Sequence, residues 1–322
     1  MKASPDSAGS TYQAPSLISD RSWPTPHPEY PANTRSPATS EASSSGGTSR
    51  SISPTRDTAG PIGARGEAAS CLRRPSVGRE DATAPSMPVD FALRRQRDTP
   101  SRIVVPVRFH VITSGLAGMV SRQSVDRQIQ SLNDAYGGRL GGADTGASFR
   151  LVGADVTDNP RWFAHPHEQQ RGLATLDRGG PGTLNLYTAA VGYQMLGFST
   201  FPQWYRGGDH LDGVVVDYRT LPGGAFERFN RGYTAVHETG HWLGLLHPFE
   251  NGCRPPGDGV DDTPYEGRPS QGCPAYKDTC PAPGSDPVHN FMDYGFDACM
   301  NEFTPGQGLR LRQMWATYRE PR

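Results

Sequence analysis

Past residue 100 the apolar residues fall into regular periods, and those periods assign elements. Ile103-Val104-Val105-Pro106-Val107-Arg108-Phe109-His110-Val111-Ile112 is a β-rich run with a late alternation, which predicts a strand. Ser121 then stands where a helix wants its N-cap, and Val125, Ile129, Leu132 and Tyr136 repeat on one helical face. Runs at 149–156, 184–188, 197–201 and 213–217 read as further strands, followed by a helix that begins near Arg231. The pattern predicts a mixed sheet with helices behind it, an α+β fold.

Residues 1–98 carry no such period. They are crowded with Pro, Ser, Thr, Ala and Gly, and their aromatics are Tyr12, Trp23, Tyr30 and Phe91. Such a segment cannot bury a core, so it is expected to be a disordered leader or pro-segment ahead of a folded domain at 99–322. After Met1-Lys2 the chain runs Ala-Ser-Pro-Asp-Ser-Ala-Gly-Ser, which lacks the apolar region of a signal peptide. No run is long enough to span a membrane. A formal net charge of -1 with 20% charged residues gives no bulk electrostatic reason to bind nucleic acid or an anionic membrane. The partners expected are proteins or peptides, and the chain is expected to be a monomer.

The densest chemistry lies at residues 237–247, His-Glu-Thr-Gly-His-Trp-Leu-Gly-Leu-Leu-His. On a helix, His237 and His241 share one face and reach one metal ion. Gly244 can take the positive φ that ends a helix, so the returning chain brings His247 to the same ion. Three protein ligands leave a fourth zinc position open. Three neutral imidazoles also leave the metal its full charge, so bound water loses its proton near neutral pH, at a pKa of roughly 7. Glu238, beside a ligand, is placed to take that proton and pass it to a leaving amine. A bare HExxH also occurs in ordinary amphipathic helices with surface histidines; the glycine and third histidine separate this stretch from that background.

The same run matches the long zinc signature HExxHxxGxxH of the metzincin metalloproteases, which also carry a methionine turn beneath the zinc. Asn290-Phe291-Met292-Asp293-Tyr294 fits that turn. With His289 before it and Cys299-Met300-Asn301-Glu302-Phe303-Thr304-Pro305-Gly306-Gln307 after it, residues 100–320 resemble the pappalysin family, in particular its small, secreted, ulilysin-like members. The resemblance implies a metzincin-type fold: a twisted, mixed five-stranded sheet with backing and active-site helices at 99–247, and a smaller, irregular, disulfide-stapled subdomain at 248–322. It implies Met292 as a hydrophobic floor under the imidazoles, where residue type alone would make it core filler. It gives Tyr294 a role in bonding the oxyanion, whereas residue type alone equally allows a buried tyrosine bonded to backbone. Extended substrate would pair with an edge strand, placed at 196–201.

Cys253, Cys273, Cys280 and Cys299 crowd the Gly-, Pro- and Asp-rich stretch after the motif, where loops need staples. Four cysteines allow three connectivities, and a structural zinc competes, although the four form no CxxC pair. Resemblance to the pappalysins implies Cys253 with Cys280 and Cys273 with Cys299. Disulfides and resemblance together place the protein outside the cell. Between the first two cysteines, Gly257-Asp258-Gly259-Val260-Asp261-Asp262-Thr263-Pro264 concentrates oxygen ligands of the kind calcium prefers, though such loops are also plain turns. The resemblance implies calcium here, with Asp258, Asp261 and Thr263 as contributors. Cys71, alone in the leader, is either an unpaired thiol or a latency ligand that occupies the open zinc position until the leader is cut.

His110, His165, His167 and His210 have no ligand partner at helical spacing and read as solvated or structural; nothing requires His289 on the metal. The function expected is a zinc-dependent endopeptidase. A catalytically silent zinc- or protein-binding module and a zinc amidohydrolase acting on small amides are the alternatives, and an intact Glu238 argues against the silent module. The resemblance implies a preference for Arg or Lys after the scissile bond, with Asp293 and Asp297 as nearby acids.

Overall fold

The computed structural model describes residues 99–192, 195–205 and 211–321. Five strands form one mixed sheet: β1 (Ile103–Thr113), β2 (Ala147–Asp158), β3 (Leu184–Ala189), β4 (Gly197–Ser199) and β5 (Gly213–Asp217), in the order β2-β1-β3-β5-β4. The pairs β1–β2, β1–β3 and β3–β5 are parallel, and β4 runs antiparallel to β5 at the edge. Alternation in β1 falls in its first half, not late as its sequence suggests: Ile103, Val105 and Val107 are buried while Val104 is exposed. From Phe109 to Thr113 every residue is buried. The strand passes there into the centre of the sheet, between β2 and β3, and centrally placed parallel strands are covered on both faces.

Helix α1 (Arg122–Tyr136) starts at Ser121, whose side chain accepts the Ser124 N–H. Val125, Leu132, Ala135 and Tyr136 are fully buried and join the main core with Val105, Val107, Leu186 and Val214 of the sheet. Two short helices, α2 (Pro160–Ala164) and α3 (Gln170–Ala174), lie between β2 and β3. The motif helix, α4 (Tyr233–Trp242), is buried along its whole length. A helix buried all round cannot be positioned by amphipathicity alone. Polar clamps do that work: the Gln128 amide donates to the Gly232 carbonyl at 3.0 Å, and the Tyr136 hydroxyl donates to the Val236 carbonyl at 2.9 Å.

Among the described residues, 243–304 contain no α-helix or named strand. Cys253 is bonded to Cys280 and Cys273 to Cys299, so the stretch is held by two disulfides and by the isolated bridges Gly272–Gly295 and Asn290–Glu302. Helix α5 (Pro305–Met314) follows, started by a reciprocal cap between Thr304 and Gln307 and continued by a π-helical turn at Trp315–Arg319. At its end Arg319 is fully buried: it pairs with Asp212, donates to the Trp242 carbonyl at 2.8 Å and lies 3.7 Å above the Trp242 ring.

Candidate active site

The site is assembled from α4, the turn after it and the loop 290–294. His237 and His241 project from one face of α4, and the helix stops at Leu243 because Gly244 adopts φ 93. Gly244 is also where α5 presses closest: a Cβ there would meet the Met314 side chain at 2.6 Å, and Arg310 Nε donates to the Gly244 carbonyl at 2.8 Å. The turn delivers His247. His241 Nε2 then lies 3.1 Å from both His237 Nε2 and His247 Nε2. Zinc–nitrogen bonds of about 2.0–2.1 Å in tetrahedral geometry set neighbouring nitrogens about 3.3 Å apart, so the spacing fits one shared ion.

The protonation states fit a metal as well. Burial drives His241 well below its ordinary pKa, with the neighbouring His247 adding to the effect, and burial pulls His247 down to about 3. Both rings are neutral near pH 7, with a lone pair free for coordination. The far nitrogens of His237 and His241 are engaged: His237 Nδ1 lies 2.8 Å from the Phe291 carbonyl and His241 Nδ1 lies 2.9 Å from the Leu245 carbonyl. An Nδ1–H donated to a carbonyl leaves Nε2 to face the ion. Among the described residues this is the metal-binding cluster of His, Cys, Asp and Glu that the structure contains, and all three of its residues are buried.

Met292 packs against α4: it is fully buried, and a Cβ on Gly240 of that helix would collide with its sulfur, so glycine is what lets the methionine approach. Gln307 holds this turn in place. Its amide exchanges hydrogen bonds with Asn290 at 2.8 and 3.0 Å, and Asn290 Oδ1 accepts the Met292 N–H at 2.9 Å. Tyr294 follows, with its hydroxyl 3.2 Å from His247 Nε2. Glu238 is buried on α4 beside the edge strand, where its Cγ lies against Gly197.

Other residues singled out by sequence fall as follows. Asp297 is buried at the start of α4, and its Oδ2 accepts the N–H groups of Arg231 at 2.8 Å and Tyr233 at 3.4 Å. Asp293 is buried too, accepting from the backbone of Ser270 and Tyr294, and burial raises its pKa. In the acidic loop Asp258 and Thr263 are buried, whereas Asp261 is exposed. Asp258 Oδ1 accepts from Val260 N at 3.0 Å; its Oδ2 and Thr263 Oγ1 are buried with no hydrogen-bond partner of normal geometry. Burial pushes Asp258 up to about 7, against the smaller opposing effects of Val260 N–H, Arg310 and the nearby Thr263 hydroxyl.

His110 is buried between Asp155 and Asn185 and stacked on Tyr187, His165 and His167 are exposed, and His289 bonds the Cys299 carbonyl. Cys71 and His210 lie outside the described residues. Phe201, Phe249 and Glu250 lie beside the histidines, and Gln307 and Arg310 brace the 290–294 loop and the Gly244 turn; none of these roles was read from the sequence. Phe249 stacks on His247 at 4.6 Å, and Phe201 lies 5.3 Å from His241. The signal for Phe249 and Glu250 was their position just past the third histidine, close enough to fold back on it.

The sequence profile of the Peptidase_M43 family, described as pregnancy-associated plasma protein-A, matches residues 195–316, which run from β4 through α5. An extracellular metalloprotease of Arthroderma benhamiae is 40% identical over 227 residues, covering 69% of this chain and 75% of its own. One from Pyricularia oryzae is 41% identical over 225 residues, covering 68% and 77%. Among solved structures, Tannerella forsythia mature mirolysin in complex with a cleaved peptide is 27% identical with a TM-score of 0.59, covering 69% of this chain and all of that one. A promirolysin variant of the same organism is 28% identical with a TM-score of 0.62, covering 71% and 86%. The histidine triad, the methionine turn and these likenesses agree, and the chain belongs to the pappalysin family of metalloproteases.

Proposed function

We propose that the protein is a secreted zinc endopeptidase in which His237, His241 and His247 hold the metal and Glu238 is the general base. The observation that carries this is the convergence of the buried Nε2 atoms of His237, His241 and His247, with the Tyr294 hydroxyl 3.2 Å from that of His247 and Glu238 on the helix that bears His237 and His241. When bound, zinc supplies Lewis acidity, polarising the scissile carbonyl and making water easier to deprotonate. Glu238 removes a proton from the attacking water and returns it to the leaving amine. The Tyr294 hydroxyl donates to the oxyanion that develops on the carbonyl. Asp297 and the Gln128 and Tyr136 clamps fix the helix that carries both ligands and base.

Peptide substrate lies extended against β4, whose outer edge, among the described residues, faces no other strand and offers main-chain pairing. Residues 99–322 form the catalytic domain, with 99–247 bearing the zinc helix and 248–322 the methionine turn. The extracellular relatives and the two disulfides support export. Asp258 Oδ2 and Thr263 Oγ1, buried and without a partner of normal hydrogen-bond geometry, fit calcium, which would stiffen the loop without reacting. A preference for Arg or Lys after the scissile bond rests on the family resemblance and on Asp293 and Asp297, and a peptide-library cleavage profile tests it.

Digestion of casein by the purified protein is the test of the main proposal. Activity should vanish with a zinc chelator, return with added zinc, and be absent in Glu238→Ala although that variant still binds zinc. A Glu238→Ala variant as active as the wild type overturns the mechanism, and hydrolysis confined to small amides overturns the substrate class.

A further inference from the structure

We infer that Glu250 is a positioning residue for the metal centre: its carboxylate, poised beside His247, becomes the acceptor for the Nδ1–H of that ring when the ion is bound and keeps Nε2 turned to it. The inference rests on His247 being a metal ligand, as proposed above. A coordinating imidazole needs a partner for its second nitrogen, because that partner sets the tautomer and the ring orientation. Two of the three rings take theirs from backbone, His237 from Phe291 and His241 from Leu245. His247 differs. Its Nδ1 lies 3.9 Å from Glu250 Oε2, just beyond hydrogen-bond length, so a small movement of the carboxylate completes the bond.

The difference follows from where His247 sits. His237 and His241 are held by a helix clamped at several points, while His247 comes after the Gly244 turn and belongs to no helix or strand. Its ring is held in a sandwich of sorts: Phe249 stacks on it with planes 10° apart, and Tyr294 meets it edge-on at 5.1 Å. Stacking fixes the plane of a ring but not which edge points where, since turning the ring over within its plane preserves the contact. A carboxylate beside Nδ1 removes that ambiguity, because only one of the two edges presents an N–H to it.

Glu250 is itself held in place. Its backbone N–H donates to the His247 carbonyl at 2.9 Å, which folds the short segment back on the ring. Asn251 next to it takes the left-handed conformation, φ 59, and its side chain donates to the Gly257 carbonyl at 2.8 Å. The Glu250 side chain is 24% exposed, so the interaction is largely shielded from water. Binding of a dication at Nε2 polarises the ring and makes Nδ1–H a stronger donor, which draws the carboxylate in. The carboxylate also offsets part of the charge of a site built only from neutral ligands.

The test is zinc affinity of the full chain, measured by competition with a chromophoric chelator, for wild type, Glu250→Ala, Glu250→Gln and His247→Ala. Glu250→Ala should bind zinc 10–100-fold more weakly. Glu250→Gln, whose amide oxygen still accepts, should recover most of that loss. Thermal unfolding of the metal-free proteins supplies the second readout, and a positioning role leaves the midpoint of Glu250→Ala close to that of the wild type. The inference is overturned if Glu250→Ala binds zinc within twofold of wild type, or if its weakened binding comes with a lowered metal-free midpoint and no rescue by glutamine. If His247→Ala also retains wild-type affinity, the metal site proposed above fails with it; if only His247→Ala loses zinc, Glu250 alone is ruled out.

Discussion

Gly197 of the edge strand lies against Glu238 of the zinc helix: a Cβ at residue 197 would stand 2.9 Å from Glu238 Cγ and 2.9 Å from the Val215 carbonyl oxygen. The strand proposed to receive substrate and the residue proposed to move its proton are therefore in direct contact. Gly197→Ala should push the Glu238 side chain out of line while leaving the histidines untouched. Displacing a reacting group by about 1 Å can cost about 10²-fold in rate. The expected outcome is a fall of that order in kcat with zinc content unchanged, read by steady-state peptide hydrolysis alongside metal analysis. Equal loss of zinc and activity would show that the glycine serves the fold instead.

Tyr294 tests the next step of the chemistry. Its hydroxyl is within hydrogen-bond distance of His247 Nε2, and the ring packs edge-on against both His247 and Phe249. Tyr294→Phe keeps those ring contacts and removes only the donor. Loss of one oxyanion donor costs about 10²–10³ in kcat in comparable acyl transfers. KM should change little, since the bond is made to charge that develops only during reaction. An unchanged kcat removes Tyr294 from the mechanism and leaves it as packing.

The parts of this architecture that could be read from sequence are those that repeat or that carry a ligand. Strands β1 and β5 were legible because Val and Ile cluster there at strand length, the other three as short apolar runs, and the motif helix because its histidines occur at helical spacing and are followed by a glycine. Helix α5 was not predicted. Its sequence PGQGLRLRQM holds two glycines and buries only Gln307, Gly308, Leu311 and Met314, so its periodicity is faint, although Thr304 and Gln307 spelled a capping box. The strand expected at 197–201 ends at Ser199, just before Pro202, which lacks the N–H a ladder needs. Arg319 left no trace because its partner, Asp212, is 107 residues away, and pairings of that kind have no local pattern.

Asp258 would give the proposed calcium site a pH signature. Its folded pKa of about 7 lies above the ordinary carboxylate value of 3.8, because burial disfavours the charged form. Between those two pH values the unfolded chain holds fewer protons at this group than the folded one, so the folded state loses stability as pH rises. The full penalty is reached above pH 7. A cation bound by the carboxylate removes it, so the rise in Tm caused by added calcium should be small near pH 5, grow toward pH 7 and then level off. Asp258→Asn should abolish the calcium response and flatten its pH dependence. A calcium shift of equal size at every pH, or one retained in Asp258→Asn, places the cation elsewhere.

Gln307 links α5 to the loop that carries Met292, the residue proposed as the floor of the site. Its side chain accepts from Thr304 N at 2.9 Å as half of the helix cap and exchanges two hydrogen bonds with the fully buried Asn290, which in turn fixes Met292. Gln307→Ala leaves the Asn290 amide unpaired in the interior, at about 1–3 kcal/mol, and weakens the cap by about 1 kcal/mol more. Gln307→Glu retains the acceptor for Thr304 N and Asn290 Nδ2 but has no amide donor for Asn290 Oδ1, so it should fall between the two. Urea unfolding gives the order of stability, and kcat reports the floor: as Met292 loosens, activity should decline in the same order, wild type above Gln307→Glu above Gln307→Ala. Stability that falls while kcat of the remaining folded protein holds would mean that the cap matters to the helix and the methionine is kept in place by packing against Gly240 alone.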